Sequence, residues 1–131
     1  MLHRDYLLEV IEQFVSTVSR ALAEALLHQN FEAAEEVEEA IADLVQLDPQ
    51  TAMSLSPESL VTMMFLSGTG DAVAGYAAYA LYRLADAYDG MNQHDVAQMR
   101  RDQAIAIAES FGANVEEIPE EFHSLEERLR S

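Results

Sequence analysis

Residues 72–111 read AVAGYAAYALYRLADAYDGMNQHDVAQMRRDQAIAIAESF. Leu81, Leu84, Ala85 and Tyr88 fall on one face of a helix with 3.6 residues per turn, and Gly75, Tyr79, Tyr82, Asp86 and Asp89 fall on another. Gly90-Met91-Asn92-Gln93-His94 interrupts the pattern with residues suited to a turn. Beyond it, Ala97 and Ala104 give the following segment a face of small side chains. The spacing therefore predicts two helices, 72–89 and 95–111, folded back on each other. No part of the stretch alternates apolar and polar residues as a half-buried strand does.

Working outward, the same period governs the rest of the chain. Leu7, Val10, Ile11, Phe14, Val18, Leu22 and Ala25 line a first helix from about residue 5 to 28, opposite Glu9, Glu12, Gln13, Ser16 and Arg20. Gln29-Asn30 breaks it and caps a second helix. That helix has an inner face of Phe31, Ala34, Val37, Ile41, Leu44 and Val45, and an outer one of Glu32, Glu35, Glu36, Glu38, Glu39 and Asp43. Leu47-Asp48-Pro49 is expected to end it, because proline disfavours helical geometry in the residue before it. Ser56-Pro57-Glu58 starts a third helix with a hydroxyl cap, a first-position proline and an acid at the positive end of the dipole. Leu60 to Leu66 is apolar nearly all round, so it is either buried or covers something. Ser67-Gly68-Thr69-Gly70 closes it, and Asp71 is placed to cap the next. A last helix starts at Pro119, with Phe122, Leu125 and Leu129 as its stripe. The expectation is one all-α domain over residues 1–131, a compact bundle of five to six helices. It comprises a hairpin over 5–47, a short apolar helix over 57–67, a second hairpin over 72–111 and a terminal helix over 119–129.

The chain carries 24 acids against 7 bases, a net charge of −17, and all the bases are arginine. With neither lysine nor cysteine, Schiff-base and phosphate-loop lysines, thiol nucleophiles, thiolate metal sites and disulfides are all excluded. The acidic balance argues against nucleic acid, whose binding needs clustered cations to displace counterions, and against an anionic membrane surface. Half the residues are hydrophobic, enough to fold despite the charge. The first residues run into an amphipathic pattern broken by Asp5, Glu9 and Glu12, and no apolar run is long enough to span a bilayer. A cytoplasmic protein is expected.

Leu84, Ala85 and Tyr88, followed by Asn92, Ala97 and Ala104, resemble a tetratricopeptide-type helical hairpin, in which small residues let the second helix approach the first. Arg101 stands where an aromatic is usual, Leu81 where tryptophan is usual, and no proline closes the unit. Phe31-Glu32-Ala33-Ala34 and Leu47-Asp48-Pro49 resemble a more degenerate hairpin of the same kind. With fewer repeats than an open solenoid needs, the resemblance implies a closed bundle sealed by the apolar and terminal helices. The whole chain is also similar to a family of small bacterial helical proteins of unknown function, through Arg4-Asp5-Tyr6-Leu7-Leu8, Ile11-Glu12-Gln13, Leu47-Asp48 and Ser54-Leu55-Ser56. That resemblance implies a helical fold and a bacterial origin. It carries over no active site.

The constellations that suggest chemistry each have a structural explanation. Glu35-Glu36 and Glu38-Glu39 fan across a solvated helix face rather than converging on a cation. Glu120-x-x-His123 is half of a carboxylate-bundle metal motif whose other half is missing, and Glu120 suits a first helical turn. His94-Asp95 resembles an adjacent ligand pair of metal-dependent phosphohydrolases, yet Asp95 is equally a helix cap. Gly68-Thr69-Gly70 follows no strand, and no nucleophile elbow is present. The stripe of Tyr79, Tyr82, Asp86 and Asp89 is the better candidate. In tetratricopeptide-like hairpins this face of the first helix forms the concave ligand surface, and tyrosines beside carboxylates suit a segment carrying arginine or lysine. The expected function is a non-enzymatic protein–protein interaction module without cofactor, catalytic or metal residues. Alternatives are a self-associating homodimer using the first helix and Met63-Met64-Phe65-Leu66, and a small metal-dependent hydrolase using His94 and Asp95.

Overall fold

The structure, a computed structural model, describes residues 2–68 and 70–131, the side chains of residues 2–4 excepted. Among these residues it is all-α: α1 (Leu2–His28), α2 (Phe31–Leu44), α3 (Pro49–Ser54), α4 (Pro57–Leu66), α5 (Gly70–Gly90), α6 (His94–Ser110), a 3₁₀ turn (Glu120–Phe122) and α7 (His123–Arg130). Among the described residues no helix is long and apolar enough to cross a membrane. Both expected hairpins are present as α1–α2 and α5–α6. α5 is the centre, packing against α6, α1, α2 and α4, while α7 seals against α1. Its alanines at 74, 77, 78, 80, 85 and 87 are all buried, as are Ala97, Ala104 and Ala108 of α6. Short side chains on both partners permit close axial approach, and the larger Leu81, Leu84 and Ile107 fill the space left over.

Local chemistry explains most boundaries. Asn30 Oδ1 accepts from Ala33 N–H (3.1 Å) and Ser56 Oγ from Ser59 N–H (3.2 Å), so the caps expected at Asn30 and Ser56 form. The hairpin turns place Gln29, Gln46 and Asn92 at positive φ (47°, 60° and 62°). At Gln46 and Asn92 the next backbone N–H reaches back five residues, from Leu47 to Ala42 and from Gln93 to Tyr88, to satisfy a carbonyl orphaned at the helix end. Gly70 marks the closest approach. A Cβ there would meet the Phe111 ring at 2.7 Å and the Met64 carbonyl oxygen at 3.0 Å.

Five expectations need correction. α2 ends at Leu44, not near residue 47, because Gln46 adopts the left-handed turn. Asp48-Pro49 does not merely stop a helix; it opens α3, with Asp48 Oδ2 accepting from Thr51 N–H (3.1 Å) and Pro49 at the first position. That adds a seventh helix to the expected five or six. Phe31 is half exposed, laid edge-on to Tyr88, since it opens α2 before the helix meets its partners. Asp95 does not cap α6, which begins a residue earlier, after Gln93. Asp71 lies in the first turn of α5 rather than at its cap, and Thr69 of the expected Gly68-Thr69-Gly70 closure lies outside the described residues.

Candidate functional site

The outward stripe of α5 divides into a covered half and an open half. Over the N-terminal half lies the chain's own C-terminal segment. Pro119 starts the 3₁₀ turn, which drives Phe122 completely inside; its ring stacks on Tyr79 at 4.4 Å and meets Tyr76 edge-on at 6.4 Å. Tyr79 is therefore only 4% exposed. Its hydroxyl donates to Glu126 Oε2, and Arg83 grips the same carboxylate with two N–H groups, Nε to Oε2 (2.8 Å) and Nη2 to Oε1. Tyr76 donates to Glu121 Oε2 (2.6 Å). Burial, then the hydrogen bond to Glu121, pushes the Tyr76 hydroxyl up to about 12. Tyr79 is raised by burial and then by Glu126, while the Arg83 contact holds Glu126 below the usual carboxylate range.

The open half holds Tyr82, Asp86 and Asp89. Tyr82 is half-buried, on the wall of a 280 Å³ cleft whose lining also includes Tyr79, Arg83 and Asp86 of α5, Glu126 of α7 and, from the segment between α6 and the 3₁₀ turn, Val115, Glu116 and Ile118. Asp86 lies 3.1 Å from Arg83 Nη1 and 3.8 Å from Arg101 Nη2. Asp89 is 2.8 Å from His94 Nδ1 and 2.9 Å from Arg101 Nη2, and these two contacts hold its carboxyl low. The structure thus brings Tyr79, Tyr82 and Asp86 to one cleft, Tyr79 almost wholly covered by the C-terminal segment, and places Asp89 at the hairpin turn.

No family model, curated protein or solved structure matches this chain. The remaining metal candidates are dispersed: His94 opens α6 beside Asp89, with Asp95 exposed next to it, and His123 Nε2 lies 3.2 Å from the Ile118 carbonyl. Among the described residues no three His, Asp or Glu side chains are grouped to hold a metal ion.

A second polar centre forms around Arg100, whose partners on other helices the sequence does not name. Arg100, on α6, donates through Nε to Glu38 Oε2 (2.9 Å) and through Nη1 to the Met53 carbonyl (3.0 Å) and Gln103 Oε1 (3.0 Å). Gln103 Nε2 reaches the Leu55 carbonyl (2.9 Å), and Tyr88 donates to Glu38 (2.9 Å). Glu38, expected on the solvated face of α2, is drawn inward by two donors. The signal was in the spacing: Ala97, Arg100, Ala104 and Ile107 share one stripe of α6.

The tyrosines set a pH dependence. A phenol whose folded pKa exceeds its unfolded value, near 10, contributes stability that is complete below pH 10 and lost as pH rises through the folded value. Tyr76, Tyr79 and Tyr88 are all raised, chiefly by burial. Urea midpoints are expected to fall between pH 9 and pH 12, with phenolate absorbance lagging behind that of the urea-unfolded chain. Glu126 acts with the opposite sign. Its stability is present above the unfolded value of 4.5 and is lost as pH drops through the lower folded value. A native chain whose tyrosines ionise together with the unfolded chain's would contradict the burial.

Proposed function

We propose that this protein is a non-enzymatic interaction module with tetratricopeptide-like hairpins, which receives a partner segment bearing arginine or lysine on the open half of the α5 face. The observation that carries this reading is the cleft whose lining joins Tyr79, Tyr82 and Asp86 of α5 to Val115, Glu116 and Ile118, with the cation in that lining, Arg83, already engaged by Glu126 and Asp86. A basic side chain entering there stacks on a tyrosine ring and meets two carboxylates, while its aliphatic stem lies against valine and isoleucine. Asp86 is 44% exposed and is paired with Arg83 and Arg101, 28% and 26% exposed, so an incoming cation exchanges one partly exposed ion pair for another. A bacterial setting is proposed from the resemblance carried by residues 4–8, 11–13, 47–48 and 54–56, with the cytoplasm as the proposed location. The acid excess supports a protein rather than a nucleic acid or membrane partner.

The test is affinity capture from the native host with the wild-type chain and with Tyr82→Ala plus Asp86→Ala. A partner bound here should be lost from the double variant by about tenfold or more; undiminished recovery would remove this site. Homodimerisation remains a second reading because Phe65 is 57% and Leu66 73% exposed at the end of α4. Under it, light scattering gives a dimer mass that Leu66→Glu reduces to a monomer.

A further inference from the structure

A separate groove runs between the N-terminal half of α1 and the C-terminal half of α2. Its volume is 440 Å³. Leu7, Val10 and Phe14 from α1 and Ala40 and Leu44 from α2 form an apolar floor, and Tyr6, 57% exposed, flanks one end. The α1 wall extends from Tyr6 to Thr17, about 17 Å at 1.5 Å per residue, which is the length of three helical turns. The groove exists because the two helices differ in length. α2 stops at Leu44, so the apolar stripe of α1 continues past the end of its partner.

Glu36, Glu39 and Asp43 edge this floor at steps of three and four, one line along α2, and no cation lies among the lining residues. Glu36 is already paired with Arg20 (2.8 Å), while Glu39 and Asp43 are exposed and enter no ion pair among the described residues. We infer that this groove docks an amphipathic helical segment of a partner protein, about three turns long, whose apolar stripe fills the floor and whose flanking lysines or arginines meet Glu39 and Asp43. Recognition by an apolar stripe with basic flanks follows the helix-in-groove mode. A second copy of this chain is the wrong occupant. Each copy carries −17, and a two-fold pairing through the groove would set the acid line of one α2 near that of the other. This site is independent of the α5 cleft, since no residue lines both.

The test uses the full chain and a fluorescein-labelled leucine–lysine peptide with its leucines on one helical stripe, against a scrambled peptide of identical composition. Fluorescence anisotropy gives the affinities, and amide shifts locate the contact. The expected result is preference for the patterned peptide, shifts confined to α1 residues 6–17, to residues 36–46 of α2 and the turn after it, and to Ser67, and affinity about tenfold lower for Glu39→Gln plus Asp43→Asn. Both replaced side chains are exposed, so the fold should survive the substitution. Tyr82→Ala plus Asp86→Ala should leave this binding unchanged, which separates it from the α5 reading. Equal affinity for the two peptides, an unaffected Glu39/Asp43 variant, shifts elsewhere, or groove-mediated dimers in scattering would each overturn the inference.

Discussion

Arg100→Met is expected to lower the unfolding free energy by about 3–5 kcal/mol, the usual loss when one partner of a buried ion pair is removed. The Arg100 and Glu38 side chains are 9% and 12% exposed, so water screens their attraction little. Methionine fills similar volume but donates nothing. Glu38 then keeps only the Tyr88 hydroxyl, Gln103 Oε1 loses its donor, and the Met53 carbonyl is left with the 3.4 Å contact to Gln103 Nε2. The effect reaches α3, a six-residue helix too short to persist alone, whose Met53 carbonyl is held by Arg100 and whose C-capping Leu55 carbonyl is held by Gln103. Out of a total near 5–15 kcal/mol, such a loss should lower Tm by roughly 10–20 °C. Urea denaturation measures it, and Glu38→Leu in the same background should recover part of the loss by removing the stranded charge. A cost below about 1 kcal/mol would mean that the pair behaves as a surface salt bridge.

The helices were largely legible because their faces repeat at 3.6 residues and their starts carry strong local chemistry, as at Asn30 and Ser56. Helix ends were less so. Gln46 turns into the left-handed region without being glycine or asparagine, so α2 appeared to run on to the proline. Asp48-Pro49 then served as a stop signal, although it has the same form as the Ser56-Pro57 start. A proline after a capping residue carries both meanings, and only the contacts of α3 decide between them.

The α5 face was legible as a stripe but not as an occupied one. Gly75, Tyr79, Tyr82, Asp86 and Asp89 share a helix face by spacing alone; which element covers it is a long-range matter. A clue lay in α7, where Glu126 sits within the apolar stripe of Phe122, Leu125 and Leu129 rather than opposite it. Arg100 in α6 stands in its stripe in the same way. An ionisable residue on an apolar face requires a buried partner, and here the partners are Arg83 with Tyr79 for one, and Glu38 with the Met53 carbonyl for the other.

Phe122→Ala is expected to cost about 3–5 kcal/mol, the range for truncating a buried phenylalanine, and to do so mainly by releasing the C-terminal segment. Phe122 is wholly buried against Tyr79, whereas the eight residues of α7 form too short a helix to be stable undocked. Leu125 and the Arg83–Glu126 pair would remain, but the partly exposed arginine makes that pair a weaker hold than the lost ring. Amide exchange at residues 120–130 should therefore accelerate strongly, while the α5–α6 core keeps its protection. The Tyr79 hydroxyl should also return toward its ordinary range, since burial is the larger cause of its shift. Parallel loss of protection in α5 and α6 would instead make α7 part of one cooperative core. If α7 leaves alone, Tyr79 and Arg83 join Tyr82 and Asp86 on an open helix face. A partner able to compete with Phe122 and Glu126 would then find there the whole stripe that the sequence displays.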